Sequence, residues 1–174
     1  RQMCIRDSAY LGKTKADDEE LAILNILDSN GLDDALLCLR AVDGYEKEMR
    51  LYAAWCARQV QHLMTDQRSV DAIDVAERFA NGDATKEELE TAWSAAGAAW
   101  DAAWAADKES AWAAAGAAGA AAGDAWDAAW AAAEDATWAA AEDAAARGTD
   151  WDDAWVAAMD KQEAKFREIL EACK

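Results

Sequence analysis

The chain has 174 residues, 53% of them hydrophobic, with no proline and a net charge of −18. That length suits one domain or two small lobes sharing a core, and the absence of proline favours long uninterrupted helices over a turn-rich β protein. The acidity works against direct binding of nucleic-acid backbone or an anionic membrane. The longest uncharged part of the alanine-rich region, residues 111–123, is too short for a membrane span.

The opening Arg1-Gln-Met-Cys-Ile-Arg-Asp7 looks like translated sequencing-adaptor sequence, so residues 1–15 are expected to be disordered or artefactual and Cys4 to carry no biology. Cys38, Cys56 and Cys173 are odd in number and lack metal-type spacing, which predicts a reduced, cytoplasmic protein.

Asp17-Asp-Glu-Glu20 reads as an N-cap opening a helix through Leu21, Leu24 and Leu27, closed by Asn30-Gly31. Residues 32–42 repeat the pattern with Leu36, Leu37 and Leu39, and Asp43-Gly44 is the next turn. A third, longer helix spans 45–64, with Tyr52, Cys56, Val60 and Leu63 as one apolar stripe. Thr65-Asp66 ends it and caps a fourth over about 67–80, with Val70, Ile73, Ala76 and Phe79 inward. Asn81-Gly82 stops that helix, and Thr85-Lys-Glu-Glu88 is a capping box. Residues 16–82 thus form a lobe of four helices.

From Trp93 the chain is built from alanine, tryptophan and acid. One phrase occurs three times: Trp100-Asp-Ala-Ala-Trp104, Trp126-Asp-Ala-Ala-Trp130 and Trp151-Asp-Asp-Ala-Trp155. Between Trp93 and Asp160 there are 13 acids and 2 bases, so most of the excess charge lies here, as a solvated helix face. Gly123-Asp124 and Gly148-Thr149 read as a C-terminal glycine followed by an N-cap, and Asp152 falls in the capping-box position after Thr149. These signals, with a break near Gly116–Gly123, predict three antiparallel helices over about 86–115, 124–147 and 150–173. The competing reading is continuous helix through the glycines, which would then mark close helix contacts. The whole is an all-α, multi-helix bundle of about seven helices, residues 85–173 sharing one core with the first lobe. The indoles are expected to fill the volume that facing alanines leave, and thin alanine faces with indole knobs also suit a homo-oligomer.

Candidate chemistry lies in the first lobe. Leu51, Trp55, Arg58 and His62 are spaced to share a face, Arg50 is one turn away, and Arg68 lies on the fourth helix. Arginines take phosphate bidentately and indoles stack on bases, so Arg50, Trp55, Arg58, His62 and Arg68 are the candidate ligand-binding set. The plainer alternative pairs Arg58 with Asp71, Asp74 or Glu77 and sets His62 against a helix-end carbonyl. Cys56 and His62 lie about 120° apart on one helix, which excludes a nucleophile–base pair there. No metal, cofactor or catalytic motif is legible, so a non-enzymatic protein is expected.

The runs Leu39-Arg-Ala-Val, Trp55-Cys-Ala-Arg-Gln-Val, His62-Leu-Met-Thr-Asp and Val75-Ala-Glu-Arg-Phe-Ala-Asn-Gly82, followed by Ala84-Thr-Lys-Glu-Glu-Leu89 and an Ala/Trp tail, resemble the bacterial and phage immunity proteins of the immunity-five-like kind. The likeness covers roughly residues 20–160, and Gln67 stands where the family's Asp-Pro-Arg-Ser pattern has proline. It implies neutralisation by binding in bacteria–phage conflict and assigns no active residue. The expectation is sequestration of a small nucleotide-derived immune signal. The alternative is an acidic antitoxin-like or DNA-mimic protein that blocks a basic protein partner; an enzyme ranks last.

Overall fold

The computed structural model describes residues 9–13, 21–39, 41–106 and 108–173, with the side chain of Trp126 left aside. The expected cap at Asp17–Glu20 lies outside them. Among the described residues the protein is an all-α bundle without strands, of eight principal helices. These are α1 (Ile23–Asn30), α2 (Leu32–Leu39), α3 (Glu46–Gln59), α4 (Gln67–Ala80), α5 (Lys86–Ala105), α6 (Glu109–Ala122), α7 (Ala125–Ala146) and α8 (Trp151–Ala172). None is long and apolar enough to cross a membrane.

Local chemistry accounts for most of the boundaries. Gly31, Gly44, Gly82 and Gly148 all have positive φ, the conformation in which glycine avoids the penalty of a Cβ. Asp66 caps α4 by accepting from the Arg68 amide at 2.9 Å. The capping box of α5 is complete: Glu88 N–H donates to Thr85 Oγ1 at 3.2 Å, and Thr85 N–H to Glu88 Oε2 at 2.7 Å.

Four expectations are corrected. The third helix ends at Gln59, and a 3₁₀ turn, Gln61–Leu63, carries His62 instead. The cap of α8 is Asp150, whose carboxylate accepts from the amides of Asp152 and Asp153; Thr149 is spent closing α7, its amide donating to Ala144 O at 3.0 Å.

The third correction concerns the glycines. The helix runs through Gly116 and Gly119 and stops at Gly123 as expected, but a further break separates α5 from α6, between Ala105 and Glu109. Gly116 is a contact glycine: a Cβ there would stand 2.5 Å from Asp135 Oδ2 on α7. The fold-back between α5 and α6 returns Trp112 edge-on to Trp104 at 5.3 Å and to Trp100 at 6.0 Å.

The fourth is the core itself. Alanine, not tryptophan, fills it in the second half. Ala113, Ala114, Ala117, Ala118 and Ala121 of α6 have no exposure, whereas Trp104 is 58% exposed and Trp93 56%. Trp130 and Trp138 are exposed too, and Trp100, Trp112, Trp151 and Trp155 are half-buried. Helices faced with methyl groups pack backbone-close and leave no slot for an indole, so the rings flank the seams. There they stack in pairs four residues apart, Trp100 on Trp104 at 5.4 Å and Trp151 on Trp155 at 4.9 Å, with Trp138 edge-on to the second pair.

Larger core side chains come from the first lobe and α8. Tyr52, Leu39, Met49, Ile73 and Val60 are fully buried with Phe166, whose ring meets Tyr52 edge-on at 5.4 Å. These residues and most of the buried alanines form one continuous cluster. A buried methylene-sized group contributes about 0.8 kcal/mol. The alanine helices therefore hold by the number of close contacts rather than by a few large anchors.

Candidate functional site

The end of α3, the second half of α7 and the first half of α8 enclose a cavity of about 350 Å³. Its walls are alanine by periodicity: Ala136, Ala140 and Ala144 recur every four residues on α7, facing Ala154, Ala157 and Ala158 of α8. Methyl groups thus line both sides of the gap. Trp55 and His62 close it from the first lobe, and Tyr52 stacks on Trp55 with ring centroids 6.4 Å apart and planes inclined by 18°.

The polar groups at this cavity sit on α7, α8 and their junction. Asp143 is the local acid; it pairs with Arg147 and stands 3.7 Å from His62 Nε2. Lys161 is exposed and forms no ion pair with a described residue. Gln162 is only 3% exposed; its amide nitrogen donates to Ala133 O at 2.9 Å, while its Oε1 has no hydrogen-bond partner among the described residues. A buried amide oxygen left unmatched costs about 1–3 kcal/mol. An occupant with an N–H group would recover that energy.

The five candidate residues divide among separate surroundings. Only Trp55 and His62 share a cavity. Arg58 ties α3 to α4: it pairs with Asp74, reaches Glu77 at 2.7 and 3.1 Å and donates to Gln61 Oε1 at 2.8 Å. These hydrogen bonds, chiefly from Glu77, hold its guanidinium well above the usual range, and the plainer pairing is what the geometry adopts. Arg68 is exposed and pairs with its own cap, Asp66, whose carboxyl it lowers to about 2. Arg50 is buried at 6% exposure, where its Nη1 donates to Ala121 O at 3.1 Å and Gly123 O at 2.7 Å. It thereby satisfies carbonyls at the end of α6, with its Cζ 5.1 Å from the Phe79 ring centroid.

Sequence reasoning missed Arg147, Lys161 and Gln162. One signal was present for the first: Arg147 is one of two bases between Trp93 and Asp160. Nothing local marks Gln162 as buried, because its environment is supplied by α3 and α7.

Burial pushes the Cys56 thiol up to about 12, which removes the thiolate a nucleophile requires. Among the described residues no three His, Cys, Asp or Glu side chains group as metal ligands. The arrangement is suited to holding a small flat molecule, with an aromatic wall, a cationic rim and one buried acceptor. Comparison of the chain with protein-family models, with curated proteins and with solved structures finds no match.

Proposed function

We propose that the protein is a non-enzymatic binder that sequesters a small nucleotide-derived signal in the cavity between α3, α7 and α8. The observation that carries the reading is the unmatched Oε1 of Gln162 in a cavity that also presents Trp55, His62, Arg147 and Lys161. A nucleobase supplies a flat face for the indole and N–H donors for the buried acceptor. Its phosphate answers Lys161 and Arg147, which stand out locally against a chain charge of −18. About 350 Å³ lies within the ~300–1,000 Å³ typical of small-molecule sites. The resemblance to immunity proteins supports bacteria–phage conflict as the setting, and three free cysteines, Cys38, Cys56 and Cys173, fit a reducing cytoplasm.

Calorimetry with cyclic mononucleotides and ADP-ribose-type nucleotides tests this. We expect one of them to bind with a Kd below about 100 μM, and Lys161→Gln and Trp55→Ala each to weaken it about tenfold or more. No binding across the panel at high micromolar concentration overturns the reading. The acidic surface favours a second one, an antitoxin-like or DNA-mimic protein that blocks a basic protein partner. Its complex would weaken steeply with salt, and a salt-insensitive complex would exclude it.

A further inference from the structure

A second cavity, of about 550 Å³, opens where five helices meet, between Arg50 of α3, Phe79 of α4, Trp93 of α5, Gly123 after α6 and Asp127 of α7. It shares no lining residue with the first. Its most informative group is Arg50. Both of its hydrogen bonds to described residues use Nη1, which holds the helix-end carbonyls of Ala121 and Gly123. A guanidinium has five N–H donors in a rigid fork. The Nε–Nη2 edge, the edge that receives a carboxylate side-on through two parallel hydrogen bonds, therefore donates to no described residue and is not sealed from solvent.

The rest of the wall constrains what such a carboxylate can be attached to. Glu90, Asp124 and Asp127 line the cavity alongside Lys86, so a multiply charged anion such as phosphate meets three acids. Lys86 and Glu90 are joined only by a 3.6 Å pair between side chains that are more than half exposed, an interaction that opens at little cost. Trp93, Leu89, Ala128 and Ala131 give the apolar surface, and Trp93 offers it from a ring 56% exposed. The requirement is one carboxylate, one neighbouring cation and an apolar body.

We propose that this cavity binds a small zwitterion, an α-amino acid with an apolar side chain. Its carboxylate lies on the Nε–Nη2 edge of Arg50, its ammonium among Glu90 and Asp127, and its side chain against Trp93 and Leu89. The site is independent of the nucleotide cavity and stands or falls separately.

Ligand-observed NMR titration of the full chain tests it with L-phenylalanine, 3-phenylpropionate, which lacks the ammonium, and phenethylamine, which lacks the carboxylate. L-Phenylalanine is expected to bind with a Kd near 1 mM or tighter, and each half-ligand about tenfold more weakly. Because Arg50 is buried and its replacement threatens folding, the variants are the exposed Trp93→Ala and Glu90→Gln. Each should weaken L-phenylalanine at least about fivefold with an unchanged thermal melt, while Lys161→Gln leaves it unaffected. Absence of binding at about 10 mM, a half-ligand that binds as tightly as L-phenylalanine, or unchanged binding by Trp93→Ala would each overturn the proposal.

Discussion

Asp135 offers the sharpest test of the alanine-core packing. Its carboxylate lies on α7 against Gly116 of α6 and accepts no hydrogen bond from a described residue. Burial, and then the neighbouring Glu134, raises its pKa from 3.8 to about 6. The folded protein therefore holds a proton between about pH 4 and 6 that the unfolded chain releases. Stability is highest below pH 4 with respect to this group, falls as pH rises through 6, and is flat above. A shift of that size corresponds to about 3 kcal/mol; allowing for the water the half-buried side chain still meets, about 2 kcal/mol is expected. Asp135→Asn removes the charge at every pH and keeps the shape. At pH 7.5 it should raise Tm by about 4–8 °C for a chain of this length, and at pH 4.5 by much less. Circular-dichroism melts of both proteins across that range give the difference directly, and because the other acids are common to both, their mutual repulsion cancels. A Tm difference of the same size at every pH, or an Asn variant less stable at pH 7.5, would refute the argument that a desolvated charge sits at the α6–α7 seam.

The same seam predicts non-additivity. Gly116→Ala gains about 1 kcal/mol of helix propensity but must turn aside the Asp135 carboxylate, whose Oδ2 would stand 2.5 Å from the new Cβ; it should stabilise more when combined with Asp135→Ala than alone, read from urea unfolding. Arg50→Gln strips a charged cap from the carbonyls of Ala121 and Gly123 at the end of α6 and should cost about 2–4 kcal/mol in the same assay. Thr85→Ala breaks the capping box of α5 and should cost about 1 kcal/mol. Arg58→Met loosens the α3–α4 tie and should leave nucleotide affinity unchanged by calorimetry, whereas a loss matching that of Lys161→Gln would return Arg58 to the binding site.

The helical class and most of its stops are carried by short-range chemistry, which is why they can be read directly. A capping box, an Asp at an N-cap and glycines with positive φ act within one turn of the chain. The apolar stripe of α3 is equally local, and Tyr52, Cys56 and Val60 are all buried. The site is less legible because its parts are distant: Trp55 and Gln162 line one cavity only because α3, α7 and α8 meet there. Arginine type likewise says little about role. Arg50, Arg58 and Arg68 are, respectively, a buried helix cap, an inter-helix tie and a self-capping surface pair.

The tryptophans show why the usual inference from size fails in this composition. A large apolar side chain signals the core when the competing positions are polar, because burial then separates one face from the other. In α6 and α7 the competitor is alanine, which is itself content inside and allows two backbones to approach. Once Ala117, Ala121, Ala132 and Ala136 are buried, the interhelix space is already closed and the indoles must take the flanks. The acids lie on those flanks too: Trp151 Nε1 donates to Glu142 Oε1 at 3.0 Å, satisfying the indole N–H at the surface rather than in an apolar interior. The same logic decides between the two readings of Gly116. As a stop it would end the helix, whereas α6 runs on through it to Ala122; as a contact it needs a partner that a methyl would strike, and Asp135 supplies that 19 residues away on another helix. No window the width of one turn contains that information, so the glycines remain ambiguous until α6 and α7 are brought together.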